Sequence, residues 1–298
     1  MICAGLKEPL ENMMNVSIDT TKINVGIQRI DALLNEPEIT LNGTGKTLNR
    51  FDIEFDGVSF AYPESSTNAC SEVSLRLPEG SCNAMVGPSG GGKSTIAQLL
   101  LHFYEVNEGE IRLGGVPITN MTQEHLLSKI SMVFQDVYLF KDTIAENIRL
   151  GRPDATQEEI IVAAKSAACH DFITALPDGY NTMVGEGGST LSGGEKQRIS
   201  IARAILSDAP IVFLDEATAS LDPENEVLIQ RAIDALVQNK TVLVIVHRLQ
   251  SVMNADKIIV LDDGRIIEEG THSDLLRQGG RYAALWKNQQ KAGNWKLA

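Results

Sequence analysis

The sequence predicts an α/β fold, and three stretches carry that expectation. The run Cys82-Asn83-Ala84-Met85-Val86 reads as a buried strand. It leads into Gly87-Pro88-Ser89-Gly90-Gly91-Gly92-Lys93-Ser94, and residues 93–103 then follow a helical pattern with Ile96, Leu99, Leu100 and Phe103 on one side. A second apolar strand, Ile211-Val212-Phe213-Leu214, ends in the acidic pair Asp215-Glu216, at the strand end where open α/β sheets place their ligands.

Residues 87–94 fit the pattern GxxxxGK[ST]. Its glycines let successive backbone N–H groups curl around phosphate oxygens, while the lysine supplies a point charge and the hydroxyl a magnesium ligand. A glycine-rich turn without a ligand is the plain alternative, and the flanking strand and helix count against it. Further on, Leu191-Ser192-Gly193-Gly194-Glu195-Lys196-Gln197-Arg198 contains an S-x-x-E capping box that opens a helix. Gly193 and Gly194 leave the backbone bare at the positively polarised helix end, which makes an anion site. Most capping boxes bind nothing. This one lies between a phosphate loop upstream and a carboxylate pair downstream.

In this order the runs resemble the ATP-binding domain of ABC transporters, whose signature is Leu-Ser-Gly-Gly, over residues 51 to about 290. The resemblance implies a P-loop NTPase (RecA-like) core with an antiparallel β subdomain and a helical signature subdomain at about 136–206. It implies ATP and Mg²⁺ as cofactors. Tyr62, in Phe60-Ala61-Tyr62-Pro63, then matches the aromatic on which adenine stacks. Gly87, Ser89, Gly90, Gly91, Gly92 and Lys93 form the loop around the β- and γ-phosphates, and Thr95 reaches the α-phosphate. Ser94 and the Q-loop residue Gln135 ligate Mg²⁺, and Asp215 fixes the metal's water shell. Glu216 polarises the attacking water, His247 in Val246-His247-Arg248 bonds the γ-phosphate, and Asp222 in Ser220-Leu221-Asp222 marks the D-loop. Ser192 and Gly194 complete the site from the opposite subunit of a head-to-tail dimer, in a homodimer or a heterodimer. Taken singly, Tyr62 reads as well as an edge-strand aromatic, Gln135 as an exposed loop residue, and His247 as a strand-capping histidine.

Composition sets limits. Asp and Glu total 39 against 26 Lys and Arg, a net charge of −13, and a surface that acidic repels a phosphate backbone, so nucleic-acid binding is not expected. The 298 residues are 43% hydrophobic, enough for a substantial core. Cys3, Cys70, Cys82 and Cys169 have no metal-binding spacing and read as reduced structural cysteines. No cleavable signal pattern is recognisable, and no apolar run approaches the roughly 18 residues needed to span a bilayer.

Residues 10–34 follow a helical pattern with Ile23, Ile27, Ile30 and Leu34 on one stripe, and the pattern stops before Pro37. The polar segment after it, with Gly43, Gly45 and Asn49, reads as a linker. In the exporter-type branch of the family, the last transmembrane helix runs on into the cytosol to an Arg-Ile sequence like Arg29-Ile30. By that resemblance residues 1–36 are its cytosolic extension, 37–50 the linker, 51–290 the ATPase domain and 291–298 a tail. The transmembrane domain of the same polypeptide is then a partner, the full transporter lies in the cell membrane, and this domain is cytoplasmic and soluble by itself. The alternative is an amphipathic helix packed on its own domain.

Asp142-Thr143-Ile144-Ala145-Glu146-Asn147-Ile148 resembles this branch, and Val184-Gly185-Glu186-Gly187-Gly188 resembles its X-loop, with Glu186 as the acidic residue. Glu269-Gly270-Thr271-His272-Ser273-Asp274-Leu275-Leu276 does so too, and Tyr282, Leu285 and Trp286 then mark a final helix with one apolar side. The run Val133-Phe134-Gln135-Asp136-Val137-Tyr138-Leu139-Phe140 is expected to be partly exposed in the groove that receives the membrane domain. Its wording resembles siderophore transporters of the exporter fold, and lipid and drug exporters carry close variants. A DNA-maintenance ATPase would carry a long heptad insertion between phosphate loop and signature, and a translation-associated relative would carry two such domains in tandem.

Overall fold

The computed structural model describes residues 20, 22–32, 34–35, 43, 48–63, 65–215, 223–246 and 249–293. The chain divides into two compact units, residues 1–40 and 41–298. In the first, residues 22–32 are helical (α1), and Ile23, Ile27, Ile30 and Leu34 are all exposed. The expected boundary at residue 36 and most of the linker lie outside the described residues.

The second unit contains two sheets. The smaller is antiparallel, in the order β2(Cys70–Leu77), β1(Ile53–Phe60), β4(Glu108–Leu113), β5(Val116–Pro117). Its pairing sets Ile53 opposite Leu77 and Leu113, and Phe55 opposite Leu75 and Ile111. Alternation in β1 and β2 turns these residues inward, onto Ile96, Leu99 and Leu100 of α2(Lys93–Leu100).

The larger sheet has the order β10(Arg265–Gly270), β9(Lys257–Asp262), β3(Cys82–Val86), β8(Thr241–Ile245), β7(Ile211–Asp215), β6(Ile130–Val133). All its pairings are parallel except that of β10. Strands buried on both faces need continuous apolar runs, and β7, β8 and β9 supply them; β3 is apolar but for the buried Asn83, whose amide donates to the Ser81 and Val242 carbonyls. In β7, Ile211 and Phe213 join the core shared with the small sheet, whereas Val212 and Leu214 join the core under the helices. A third cluster sets Ala84, Val86 and Val260 against Leu275 and Tyr282 of α9(His272–Gln278) and α10(Arg281–Gly293). The final helix thus buries the face its sequence predicts.

Between β6 and β7 the chain is mainly helical: α4(Ile144–Arg149), α5(Gln157–Ser166), α6(His170–Ala175) and α7(Gly193–Ser207), after the short α3(Gln123–Leu127) that precedes β6. Thr143, Thr156 and Ser192 cap α4, α5 and α7 through their hydroxyls. α7 packs on α4, α5 and α8(Pro223–Val237).

One expectation is corrected. The helix after the phosphate loop ends at Leu100, and Phe103 is exposed instead of sharing the buried side of Ile96, Leu99 and Leu100. His102 takes φ +54°, the Phe103 N–H donates to the Gln98 carbonyl at 2.9 Å, and the His102 N–H donates to that of Leu99 at 3.0 Å. That left-handed stop reverses the chain one residue before Phe103.

Candidate functional site

The phosphate loop joins the end of β3 to the start of α2. Gly87, Gly90 and Gly92 have φ of +150°, +79° and +95°, which side chains disfavour. A Cβ on Gly87 would strike the Leu261 carbonyl of β9, and one on Gly92 would sit 2.7 Å from the Ala69 carbonyl. Gly92 caps α2 without any side-chain hydrogen bond, so the first N–H groups of the helix face the loop, an arrangement suited to an anion. The buried Lys93 ammonium donates to the carbonyls of Gly87 at 3.1 Å and Pro88 at 2.7 Å, and Ser94 is exposed beside it.

The β9–β10 turn supports the loop from below. The Gly264 N–H donates to the Gly91 carbonyl at 3.3 Å, and the Ser71 N–H donates to that of Gly264 at 2.9 Å. Gly264 lies outside every motif named from the sequence. Its signal was the pair Asp263-Gly264, both with positive φ, a common hairpin turn. Cys70 lies buried beneath the loop with Sγ 4.0 Å from the Gly92 carbonyl, and burial pushes its thiol up to about 11, so it stays neutral beside an anion site.

Parallel pairing brings the other segments to the same edge. Met85 of β3 and Asp215 of β7 both stand opposite Ile245 of β8, and Val133 of β6 stands opposite Leu214. The loop after β3, Gln135 after β6 and Asp215 at the end of β7 therefore lie along one edge of the sheet. Gln135 is exposed and Asp215 half-buried. Glu216, Asp222 and His247 lie outside the described residues. On the other side of α2, the Tyr62 hydroxyl lies 3.1 Å from Thr95 Oγ1 and donates to Gln98 Oε1 at 2.8 Å.

The signature run forms the capping box its sequence predicts. The Ser192 N–H donates to Glu195 Oε2 at 2.8 Å, and the Glu195 N–H donates to Ser192 Oγ at 3.3 Å. Ser192 and Gly193 are exposed and Gly194 is buried. Three further residues of α7, quoted with the motif but given no role, tie it to its surroundings. Lys196 Nζ donates to the Gly187 carbonyl at 3.1 Å, Gln197 Nε2 to that of Phe134 at 3.4 Å, and Arg198 to the Asn225 side chain.

Phe134, Tyr138 and Phe140 are 46%, 52% and 54% exposed, while Val133 and Leu139 are buried, so the expected partial exposure of this run holds. The segment resembling the X-loop is joined to it. The Gly187 N–H donates to the Leu139 carbonyl at 3.1 Å, and the Val184 N–H to that of Asp142 at 2.8 Å.

Fold and loop together define a phosphate-loop ATPase domain with a helical subdomain inserted between β6 and β7. A family profile described as ABC transporter matches residues 70–219. The chain belongs to that family. Among curated proteins it is 47% identical over 269 residues to the mycobactin import ATP-binding/permease protein IrtA of Mycolicibacterium thermoresistibile, covering 87% of this chain and 29% of that protein. It is also 47% identical over 286 residues to the ATP-dependent lipid A-core flippase of Legionella pneumophila, covering 96% of this chain and 48% of that protein. The chain thus spans about half the length of these relatives or less. A solved bacterial Atm1-family ABC exporter with ATP bound is 41% identical with a TM-score of 0.83, over 94% of this chain and 48% of that one.

Proposed function

We propose that this chain is the ATP-hydrolysing motor of an exporter-type ABC transporter, which works as a head-to-tail dimer and drives a membrane domain on the same polypeptide. The observation that carries the reading is the sheet edge that brings together a bare helix start with Lys93 beneath it, Gln135 just after β6 and Asp215 at the end of β7; a second exposed helix start, at Ser192, stands in the helical subdomain. One helix end suits the chain's own nucleotide, and the other suits that of a partner.

Phosphoryl transfer to water needs positioning and charge stabilisation more than covalent help. Backbone N–H groups of residues 90–93 and the Lys93 ammonium hold the β- and γ-phosphates, which requires the ammonium to exchange at least one loop carbonyl for phosphate oxygen. A hydroxyl, an amide oxygen and a carboxylate, from Ser94, Gln135 and Asp215, form a hard oxygen set that fits Mg²⁺. Mg²⁺ there would neutralise charge developing between the β- and γ-phosphates. Glu216 takes the proton of the attacking water, and His247 holds the γ-phosphate in line. Asp222 is the aspartate of the D-loop motif.

The exposed aromatic run at Phe134, Tyr138 and Phe140, bonded to the X-loop segment, is read as the seat of the membrane domain, which would place this domain on the cytoplasmic face. For the cargo, the two relatives point to a siderophore or a lipid, with drugs as a third class. The longer protein in vesicles, assayed for ATPase stimulation by ferric siderophores against lipids and amphiphilic drugs, separates them. The motor reading is tested by measuring turnover and nucleotide binding together in wild type and Glu216→Gln. Loss of most turnover with binding retained supports it, and near-wild-type turnover removes Glu216 from the role of base.

A further inference from the structure

Two independent constraints meet at the first turn of the signature helix. Gly194 is buried, and a Cβ built on it would lie 2.6 Å from both Cγ and Oδ1 of Asn225, the third residue of α8. The same Oδ1 accepts a hydrogen bond from Arg198, one turn further along α7. Arg198 is 4% exposed, and its guanidinium lies 5.3 Å from the centre of the Phe172 ring of α6. Asn225 Oδ1 is one of the acceptors of this buried guanidinium, and a hydrogen bond to a buried charged group is costly to break. The Asn225 amide therefore fills the notch left by the missing side chain of Gly194 and is held there by the buried guanidinium.

We propose that Asn225 is a positioning residue for ATP hydrolysis. Seated in the Gly194 notch and bonded to Arg198, it fixes the first turn of α7, which carries Ser192, against the start of α8, the helix that follows residues 215–222. The orientation of the signature turn against α8 is thereby set by one side chain. Gly194 then has a second reason to be glycine, beyond leaving the backbone bare for a phosphate. The proposal rests on reading Ser192 and Gly194 as an anion site that acts across a dimer.

The test uses this chain with Asn225→Ala, Asn225→Leu and Asn225→Asp. ATP-dependent dimerisation is followed by light scattering in a Glu216→Gln background, and KM and kcat for ATP are measured with Glu216 intact. Melting temperature and nucleotide affinity of the monomer are recorded beside them. Losing a hydrogen bond to a charged group sets the expected scale at about tenfold. Asn225→Ala and Asn225→Leu should weaken dimerisation and raise KM by about that factor with monomer affinity unchanged. Asn225→Asp, which keeps the shape and the acceptor, should stay within about twofold of the parent.

A double substitution sharpens the test. If Gly194→Ala acts by dislodging Asn225, then Gly194→Ala with Asn225→Ala should be no worse than Asn225→Ala alone, whereas a direct block of phosphate makes the losses add. The proposal is overturned if Asn225→Ala dimerises and turns over like its parent, if Asn225→Asp is as damaged as Asn225→Leu, or if the losses merely follow melting temperature. If Glu216→Gln itself fails to dimerise with ATP, the reading of the signature turn falls, and the proposal with it.

Discussion

The hydroxyl of Tyr62 and that of Thr95 lie 3.1 Å apart, so the aromatic matched to adenine stacking and the threonine matched to the α-phosphate are joined through the first turn of α2. Gln98, one turn on, accepts from the same phenol at 2.8 Å. The ring also meets Phe60 and Tyr104 edge-on, at 5.0 and 5.2 Å. Stacking a base on an aromatic contributes about 1–3 kcal/mol, and that share does not need the hydroxyl. Tyr62→Ala should raise KM for ATP about tenfold, with Tyr62→Phe within about threefold of wild type. Equal losses in the two variants would mean that Tyr62 serves the site through its hydrogen bonds instead of its ring.

Lys93→Ala removes the cation beneath the phosphate loop. Nucleotide affinity should fall about ten- to a hundredfold, the scale of a hydrogen bond to a charged group, as read by calorimetry. An unchanged affinity would place the Lys93 ammonium permanently on the carbonyls of Gly87 and Pro88, as a structural group.

Gly87 and Gly90 separate packing from backbone strain. Both have positive φ, but a Cβ on Gly87 meets the backbone of Leu261, whereas nothing lies within 4 Å of one on Gly90. Gly90→Ala should lose about 1–3 kcal/mol of stability from strain alone. Gly87→Ala should lose clearly more, with a melting temperature lower by several degrees. Similar melting temperatures would remove the Leu261 carbonyl as the constraint.

Alkaline pH should destabilise the fold. Burial pushes the thiols of Cys70 and Cys169 up to about 11 and about 12, from an ordinary 9.0, and the phenols of Tyr180 and Tyr282 up to about 12, from 10.0. Over that interval the folded chain keeps protons that the unfolded chain releases. The stabilisation is therefore complete below about pH 9 and is lost as pH rises from there toward 12. Chemical denaturation at pH 8, 9.5 and 10.5 checks this, and Cys169→Ala should flatten part of the decline. Constant stability across the series would contradict it.

Much of this was legible in the sequence because the constraints are local. The glycines at 87–92, the capping box at Ser192 and the apolar run of β7 each impose their structure within a few residues. The Leu100 stop was missed because the residue reversing the chain is His102 and not a glycine. Asn225 and Gln98 were missed for a different reason: their partners, Arg198 and Tyr62, are 27 and 36 residues away, and only the packing of α7 on α8, and of β1 on α2, brings them together. Roles for Glu216, Asp222 and His247 continue to rest on their place in the motif order.

The central claim is that two copies of this domain close around ATP, each offering its Ser192 turn to the other's nucleotide. Light scattering of Glu216→Gln over a range of protein concentrations, with and without ATP and Mg²⁺, tests it most directly. The account predicts monomers without nucleotide, a shift to dimers with it, and wild-type hydrolysis per molecule that rises with protein concentration. A Glu216→Gln protein that binds ATP and stays monomeric throughout, beside a wild type whose hydrolysis per molecule does not depend on concentration, would contradict it.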